Sequence, residues 1–292
     1  MRITEAMTLN GVLESESRVS QRLNTLTTQA SSGLAVSQPS DDPAAYASVV
    51  QRNAQIGNVQ ARSSAATEAA GNLNLAETTL DQASTLMSQA SQVAIEASNG
   101  TMDASARADA AKQVDGIRQQ MLALANTQGS NGYLFGGTRT NAPPFDATGN
   151  FVGNDDVTHV EIADGVLAVS NASGAAAFTA AGGQNVLADL QTLSTALTNN
   201  DLPGIQTSIG NISASGTQLI AARLDAGERA GRLTSASDAM TNALTQMQIS
   251  LGSVENADPA TTFSNLQATQ LAYQQAVQVN KQVLGVALQT GN

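Results

Sequence analysis

Two apolar stripes, one at each end of the chain and each separated from the middle by an Asp-Pro step, constrain this sequence more than any other feature. Near the N-terminus Leu9, Val12, Glu16, Val19, Leu23, Leu26, Ala30 and Gly33 recur at alternating spacings of three and four. Near the C-terminus Phe263, Leu266, Gln270, Tyr273, Val277, Asn280, Leu284 and Ala287 do the same. That spacing puts each set on one face of a helix, in the pattern of a coiled-coil seam. Gly33 ends the first stripe as a helix C-terminal glycine would. Asp42-Pro43 and Asp258-Pro259 both read as helix starts. An Asp side chain accepts from free backbone N–H groups, and Pro fits the first turn. Residues 1–40 and 258–292 are therefore expected to form one terminal coiled-coil domain, antiparallel, with the two breaks at similar heights. Its stripes are narrow and interrupted by Glu16, Gln270 and Asn280. Such helices are marginal alone, because each ordered residue costs backbone entropy that a thin seam does not offset. The seam residues Leu9, Val12, Val19, Leu23, Leu26, Phe263, Leu266, Tyr273, Val277 and Leu284 are thus expected to be an assembly interface.

Between the breaks the pattern is also helical. No proline appears from Ala44 to about Ser98, and Ala76, Leu80, Ala83, Met87, Ala90, Ala94 and Ala97 keep the three–four spacing. Asn99-Gly100-Thr101 is a turn signal. A further helix then places Ala110, Val114, Ile117, Met121 and Leu124 on one face. From Ile212 to Val254 the heptad spacing returns through Leu219, Ala226, Leu233, Met240, Leu244 and Leu251. Long helices joined by short turns imply a bundle, expected over 41–137 plus 186–257. The intervening stretch differs. Tyr133, Phe135, Phe145 and Phe151 cluster there, and Thr158–Ser170 reads as a β-hairpin about Asp164-Gly165. Counting outward, Ile162 faces Leu167 and Val160 faces Val169. A small β-rich insert is expected over 138–185. The fold class is mainly α: a long antiparallel helical bundle built from both termini, with one small β insert.

Composition excludes most chemistry. Aromatics make up 3% of the chain, Trp is absent, and small polar residues fill the helices. The formal net charge of −11 disfavours nucleic acid and anionic membranes. Without cysteine there is no disulfide and no thiolate metal site. The single His159 excludes a multi-histidine metal site. Asp41-Asp42 reads as a cap and turn, and Asp155-Asp156 lacks the spaced ligands of a calcium loop. Gly136-Gly137-Thr138 lacks the lysine of a phosphate loop. The sequons Asn171-Ala172-Ser173 and Asn211-Ile212-Ser213 are of the kind chance supplies. No catalytic residue, cofactor or metal is expected, and the chain is not an enzyme. The start, Met1-Arg2-Ile3-Thr4-Glu5-Ala6-Met7, holds no signal-peptide core, and no stretch has the length of a membrane span. Taken alone, this reads as a soluble cytoplasmic protein.

Several segments resemble the flagellin superfamily, over nearly the whole chain. Leu34–Pro43, with its Pro-Ser-Asp-Asp-Pro run at 39–43, is similar to the entry to that family's second domain. Ala97–Thr101 resembles its interhelical turn. Glu255–Asp258, Ala260-Thr261, Gln275-Ala276 and Asn280–Leu284 resemble its C-terminal helix. Asn131-Gly132-Tyr133-Leu134-Phe135-Gly136-Gly137-Thr138 and Pro143-Pro144-Phe145 are similar to the signature of the family's hook-associated, junction-type members. The resemblance implies a structural subunit at the hook–filament junction, an extracellular part of the bacterial flagellum. It implies export in the unfolded state through the flagellar type III channel, without a cleaved signal peptide. The implied partners are further copies in a ring, the neighbouring hook-associated protein, flagellin, and an export chaperone on the C-terminal helix. A short flagellin forming the filament itself is the alternative.

Overall fold

A computed structural model describes residues 2–290, with side chains described for 10–283 and for Met7. Seven helices and two small hairpins follow in order: α1 (Arg2–Ser32), α2 (Pro43–Ala97), α3 (Ala104–Ala125), β1 (Gln128–Gly129), β2 (Gly132–Tyr133), β3 (His159–Ala163), β4 (Val166–Val169), α4 (Gly174–Phe178), α5 (Val186–Thr198), α6 (Leu202–Glu255) and α7 (Pro259–Thr290), with one 3-10 turn at Ala180–Gly182. The chain divides into two compact units, Met1–Gly57 with Leu244–Asn292, and Asn58–Ala243.

The Asn58–Ala243 unit has a deep core. Along α2 the residues Ala66, Ala69, Leu73, Ala76, Leu80, Ala83, Met87, Ala90, Ala94 and Ala97 are all buried. They meet Val114, Ile117 and Met121 of α3, Leu190, Leu193 and Leu197 of α5, and Ile205, Ile212, Leu219 and Leu233 of α6. Alanine on the α2 face lets the neighbouring helices approach closely, so few large side chains fill this core. The buried face of α3 runs through Arg107, Ala111, Val114, Ile117, Met121 and Ala125. The expected Ala110 and Leu124 lie at its margin, only partly buried.

Short polar bonds tie the helices pairwise. Ser194 Oγ of α5 donates to Asp115 Oδ1 of α3 at 2.6 Å. Ser215 Oγ of α6 donates to Asp189 Oδ2 of α5 at 2.7 Å. Ser237 of α6 sits 3.2 Å from Ser63 Oγ and 2.8 Å from Thr67 Oγ1 on α2. At the α2–α3 corner the buried Arg107 donates from Nε to Ala97 O at 3.0 Å and from Nη2 to Asn99 O at 2.8 Å. Its Nη1 donates to Asn200 Oδ1. The guanidinium thus satisfies carbonyls that the end of α2 leaves free.

Residues 126–185 share this core. Phe178 makes edge contacts with Phe135 at 5.2 Å and Phe145 at 5.6 Å, and Phe145 packs on Phe151 at 5.1 Å. Phe178, which lies outside the aromatic run at 133–151, therefore joins two of its rings. One α6 side chain, Gln218, organises the return to the bundle. Its Nε2 donates to Ala177 O, Thr179 O and Gln184 O at 3.0–3.1 Å, and its Oε1 accepts from Gln184 N at 2.7 Å. Gly132 and Gly137 are demanded by their surroundings. Both have positive φ, 105° and 66°, and a Cβ would lie 2.3 Å from Thr140 O and 2.2 Å from Asn154 O respectively.

The Asp164-Gly165 turn forms as expected, with Ala163 opposite Val166 and Gly165 at φ 71°. Beyond it the expected pairing is wrong. Glu161 pairs with Leu167, Val160 with Ala168 and His159 with Val169, and the register shifts between Glu161 and Ala163. Ile162 is the extra residue of a β-bulge, which reverses the alternation of one strand relative to the other. Val160, Ile162 and Ala168 consequently pack on the core, while Leu167 is 63% exposed.

Candidate assembly interface

The unit formed by both chain ends is built on α1 and α7, which pack along one another. The polar exceptions of the two stripes meet: Asn280 Nδ2 donates to Glu16 Oε2 at 2.5 Å. Leu34 forms an isolated antiparallel bridge with Asn256. These two tie points set the helices antiparallel. At the bridge Ala35 N donates to Glu255 O at 2.7 Å and Ala257 N to Gly33 O at 2.9 Å. The connections leaving α1 and entering α7 thus satisfy each other's backbone. Gly33, at φ 75°, turns the chain out of α1.

Both Asp-Pro steps stand at helix starts. Asp42 Oδ1 accepts from Ala44 N at 2.9 Å and Ala45 N at 3.0 Å, and α2 begins at Pro43. Asp258 Oδ1 accepts from Ala260 N at 3.2 Å, its Oδ2 accepts from Thr261 Oγ1, and α7 begins at Pro259. The Thr261 hydroxyl, and then the Ala260 N–H, hold the Asp258 carboxyl below its ordinary range. Asp41 folds the preceding turn, accepting from Ser37 N and Gln38 N. The Ser37 N–H is the main reason its carboxyl is also held low.

Along the seam Val12, Glu16, Val19 and Leu23 are half-buried, and Leu26 is buried. On α7 Leu266, Tyr273, Val277 and Asn280 are half-buried. Two residues that the stripe reading passed over, Thr262 and Thr269, are the buried ones among the described residues of this helix. Phe263 is 54% exposed and Gln270 is exposed. The α7 seam therefore starts one residue earlier than the apolar pattern suggests. Threonine hides this, since a polar letter conceals a methyl group that packs. Leu9 and Leu284 lie outside the residues whose side chains are described. The seam also carries one unanswered group: Asn280 Oδ1 is buried and has no hydrogen-bond partner among the described residues. Met7, Leu13, Phe263, Leu271 and Val279 leave apolar surface exposed on these two helices.

The residues weighed for chemistry sit apart from one another. His159 is exposed on β3. Asp156 Oδ2 accepts from Asn154 Nδ2 at 2.6 Å, and Asp155 accepts from Ser173, so both carboxylates serve local turns. Among the described residues no three His, Asp or Glu side chains gather as metal ligands. Among them, too, no helix is long and apolar enough to cross a membrane.

Residues 4–140, which span α1, α2, α3 and the glycine-rich turn after them, match the bacterial flagellin N-terminal helical region. The chain is 38% identical over 130 residues to flagellar hook-associated protein 3 of Salmonella typhimurium, covering 44% of this chain and 41% of that one. It thus spans about two fifths of the length of the curated relatives it matches. Two solved structures share the fold. A Vibrio parahaemolyticus protein assigned as flagellar hook-associated superposes with a TM-score of 0.68 at 22% identity, over 74% of this chain and 100% of that one. The flagellar junction protein FlgL of Legionella pneumophila superposes with a TM-score of 0.54 at 15% identity, over 71% and 99%. The N-terminal part of the chain is thus similar to the flagellin N-terminal helical region and to hook-associated protein 3, and the fold is one shared with flagellar hook-associated structures.

Proposed function

We propose that this protein is a structural, non-enzymatic subunit of the bacterial flagellum, built into the extracellular junction between hook and filament. The observation that carries this reading is the 38% identity to hook-associated protein 3, together with a fold shared with a junction protein. In this reading residues 1–40 and 258–292 form the assembly domain, 41–137 with 186–257 the supporting bundle, and 138–185 the insert. The physical support is the thinness of the α1–α7 seam. It buries few residues, leaves Phe263, Leu271 and Val279 outside, and holds one unsatisfied amide oxygen. Apolar surface in such quantity on a narrow helical pair favours cover by other chains. Further copies in a ring, the adjoining hook-associated protein and flagellin supply that cover. Export proceeds in the unfolded state without a cleaved signal, and a chaperone shields the C-terminal helix on the way.

Fluorescently labelled protein on living cells tests the proposal. Label in a single spot where hook meets filament supports the junction. Label along the whole filament supports the alternative, a short flagellin. A strain lacking the protein should release filament protein into the medium.

A further inference from the structure

Three Asn-Gly steps occur in the chain, at Asn10-Gly11, Asn99-Gly100 and Asn131-Gly132. Only one of them is set up for chemistry. We propose that the α2–α3 turn is a self-modifying site, at which the Gly100 backbone nitrogen attacks the Asn99 side chain and converts it, through a succinimide, to isoaspartate and aspartate.

The two oxygens that gain negative charge in this reaction are already served by donors. Attack by Gly100 N on Asn99 Cγ pushes electrons onto Oδ1. That atom accepts from Thr101 N at 3.1 Å and from Thr101 Oγ1 at 2.9 Å. Preplaced donors at a developing oxyanion lower the barrier to attack. The nucleophile is weak until it loses its proton, and the resulting charge is shared with the carbonyl of the same peptide bond, Asn99 O. This oxygen accepts from the buried Arg107 guanidinium at 2.8 Å and from Met102 N at 3.1 Å. A cation bonded there favours the deprotonated amide. The attacking group is also free: among the described residues Gly100 N–H has no hydrogen-bond partner. Asn99 and Gly100 are both exposed, and beyond the two chain neighbours no atom lies within 4 Å of where a Gly100 side chain would begin.

The other two steps lack this arrangement. Asn10-Gly11 lies inside α1, where the following N–H points along the helix axis into the backbone ladder. Gly132 closes the β1–β2 hairpin opposite Gly129 and is pressed against Thr140 O.

The chemistry balances with water as its one co-reactant. The N–Cγ bond forms and the Gly100 proton passes to solvent. The Cγ–Nδ2 bond breaks, and the nitrogen takes up a proton and leaves as ammonia. Water then opens the ring at either carbonyl. Opening at the former backbone carbonyl makes isoaspartate, and the oxygen that Arg107 holds becomes part of a free carboxylate. Arg107 otherwise has no carboxylate partner among the described residues. The guanidinium both polarises that carbonyl and stabilises that product, so isoaspartate is the major outcome.

Incubating the full-length folded protein in mildly alkaline buffer made with oxygen-18 water, followed by peptide mapping, reads out all three sites. Asn99 is expected to take up the label at least about tenfold faster than Asn10 or Asn131, a barrier difference of about 1.4 kcal/mol. Isoaspartate should exceed aspartate. Gly100→Ala should suppress the conversion, and Thr101→Val should slow it several-fold while the melting temperature holds. In guanidinium chloride the three sites should converge. Equal rates in the folded chain would overturn the proposal, as would an Asn99 rate that rises on unfolding, since the turn would then be protecting the step.

Discussion

The central unit and the terminal unit are made of the same small, polar-rich helices, yet they keep water out to very different degrees. In Asn58–Ala243, Leu80, Met121, Phe135, Phe178, Leu190, Leu219 and Leu233 are all essentially fully buried. Among the described residues of the terminal unit, the buried apolar side chains are Leu26, Val36, Val49 and Leu244, each still 5–7% exposed. The main core cluster draws none of its buried residues from the terminal unit. The terminal helical pair buries only a thin seam, whereas the central unit carries its own core. The difference is one of burial per residue and not of helix propensity, which both units share.

The largest expected effect lies in the central unit. Phe178→Ala removes the ring that contacts both Phe135 and Phe145, and should cost about 3–5 kcal/mol. A thermal melt of the monomer should show the main transition falling steeply. Next is Gln218→Leu. It strands the Ala177, Thr179 and Gln184 backbone groups without their shared partner, and should cost about 1–3 kcal/mol in a denaturant titration. Equal stability would mean that water replaces the amide at no cost.

Effects in the terminal unit should be smaller. Gly33→Ala meets no steric obstacle, so its cost is that of a left-handed backbone alone, about 1–2 kcal/mol, and should loosen α1 without moving the central transition. Leu23→Asp and Leu266→Asp each place a charge in a half-wet seam, at about 1 kcal/mol or less to the monomer. In an assembly the same carboxylate, buried and unpaired, costs several kcal/mol in every subunit. Incorporation should fail while the monomer melts nearly as before. Ser17→Asp and Gln267→Asp, at exposed sites, should be silent in both assays. If the leucine variants unfold the monomer, the seam is an internal core and the contrast between the units collapses.

The smallest effect is a titration. The Thr148 hydroxyl and the Asn150 N–H hold Asp146 down to about 2, from an ordinary 3.8. A depressed carboxyl stabilises the fold above its unfolded value, and that contribution is lost as pH falls toward its folded value. The Asp146–Asn150 turn should therefore loosen locally between pH of about 4 and about 2. Amide shifts of Thr148 and Asn150 would follow it, and unchanged shifts across that range would remove Asp146 as the organiser of the turn.

Much of this architecture is written in local signals. The Asp-Pro steps sit at the starts of α2 and α7, Asn99-Gly100 marks the corner before α3, and the alanine-and-leucine row of α2 is the buried row. What escapes sequence reading are choices made by tertiary contact. The bulge at Ile162 shifts a register that counting from the turn gets wrong. Phe178 stands alone among alanines, so nothing local shows that it joins two distant rings. Gln218 looks like any surface glutamine on a long helix, and its four bonds exist only once the chain returns to it. In the terminal pair, Glu16 and Asn280 read as two separate flaws until antiparallel packing brings them together.

Amide hydrogen exchange on the purified monomer, and again on the polymerised protein, tests the division between the two units most directly. Residues 1–40 and 258–292 should exchange within seconds to minutes as monomer and become strongly protected on assembly, while the core helices of 58–243 stay protected in both. Strong protection throughout both terminal helices in a proven monomer would contradict it, and would mean that the thin α1–α7 seam stands without neighbours.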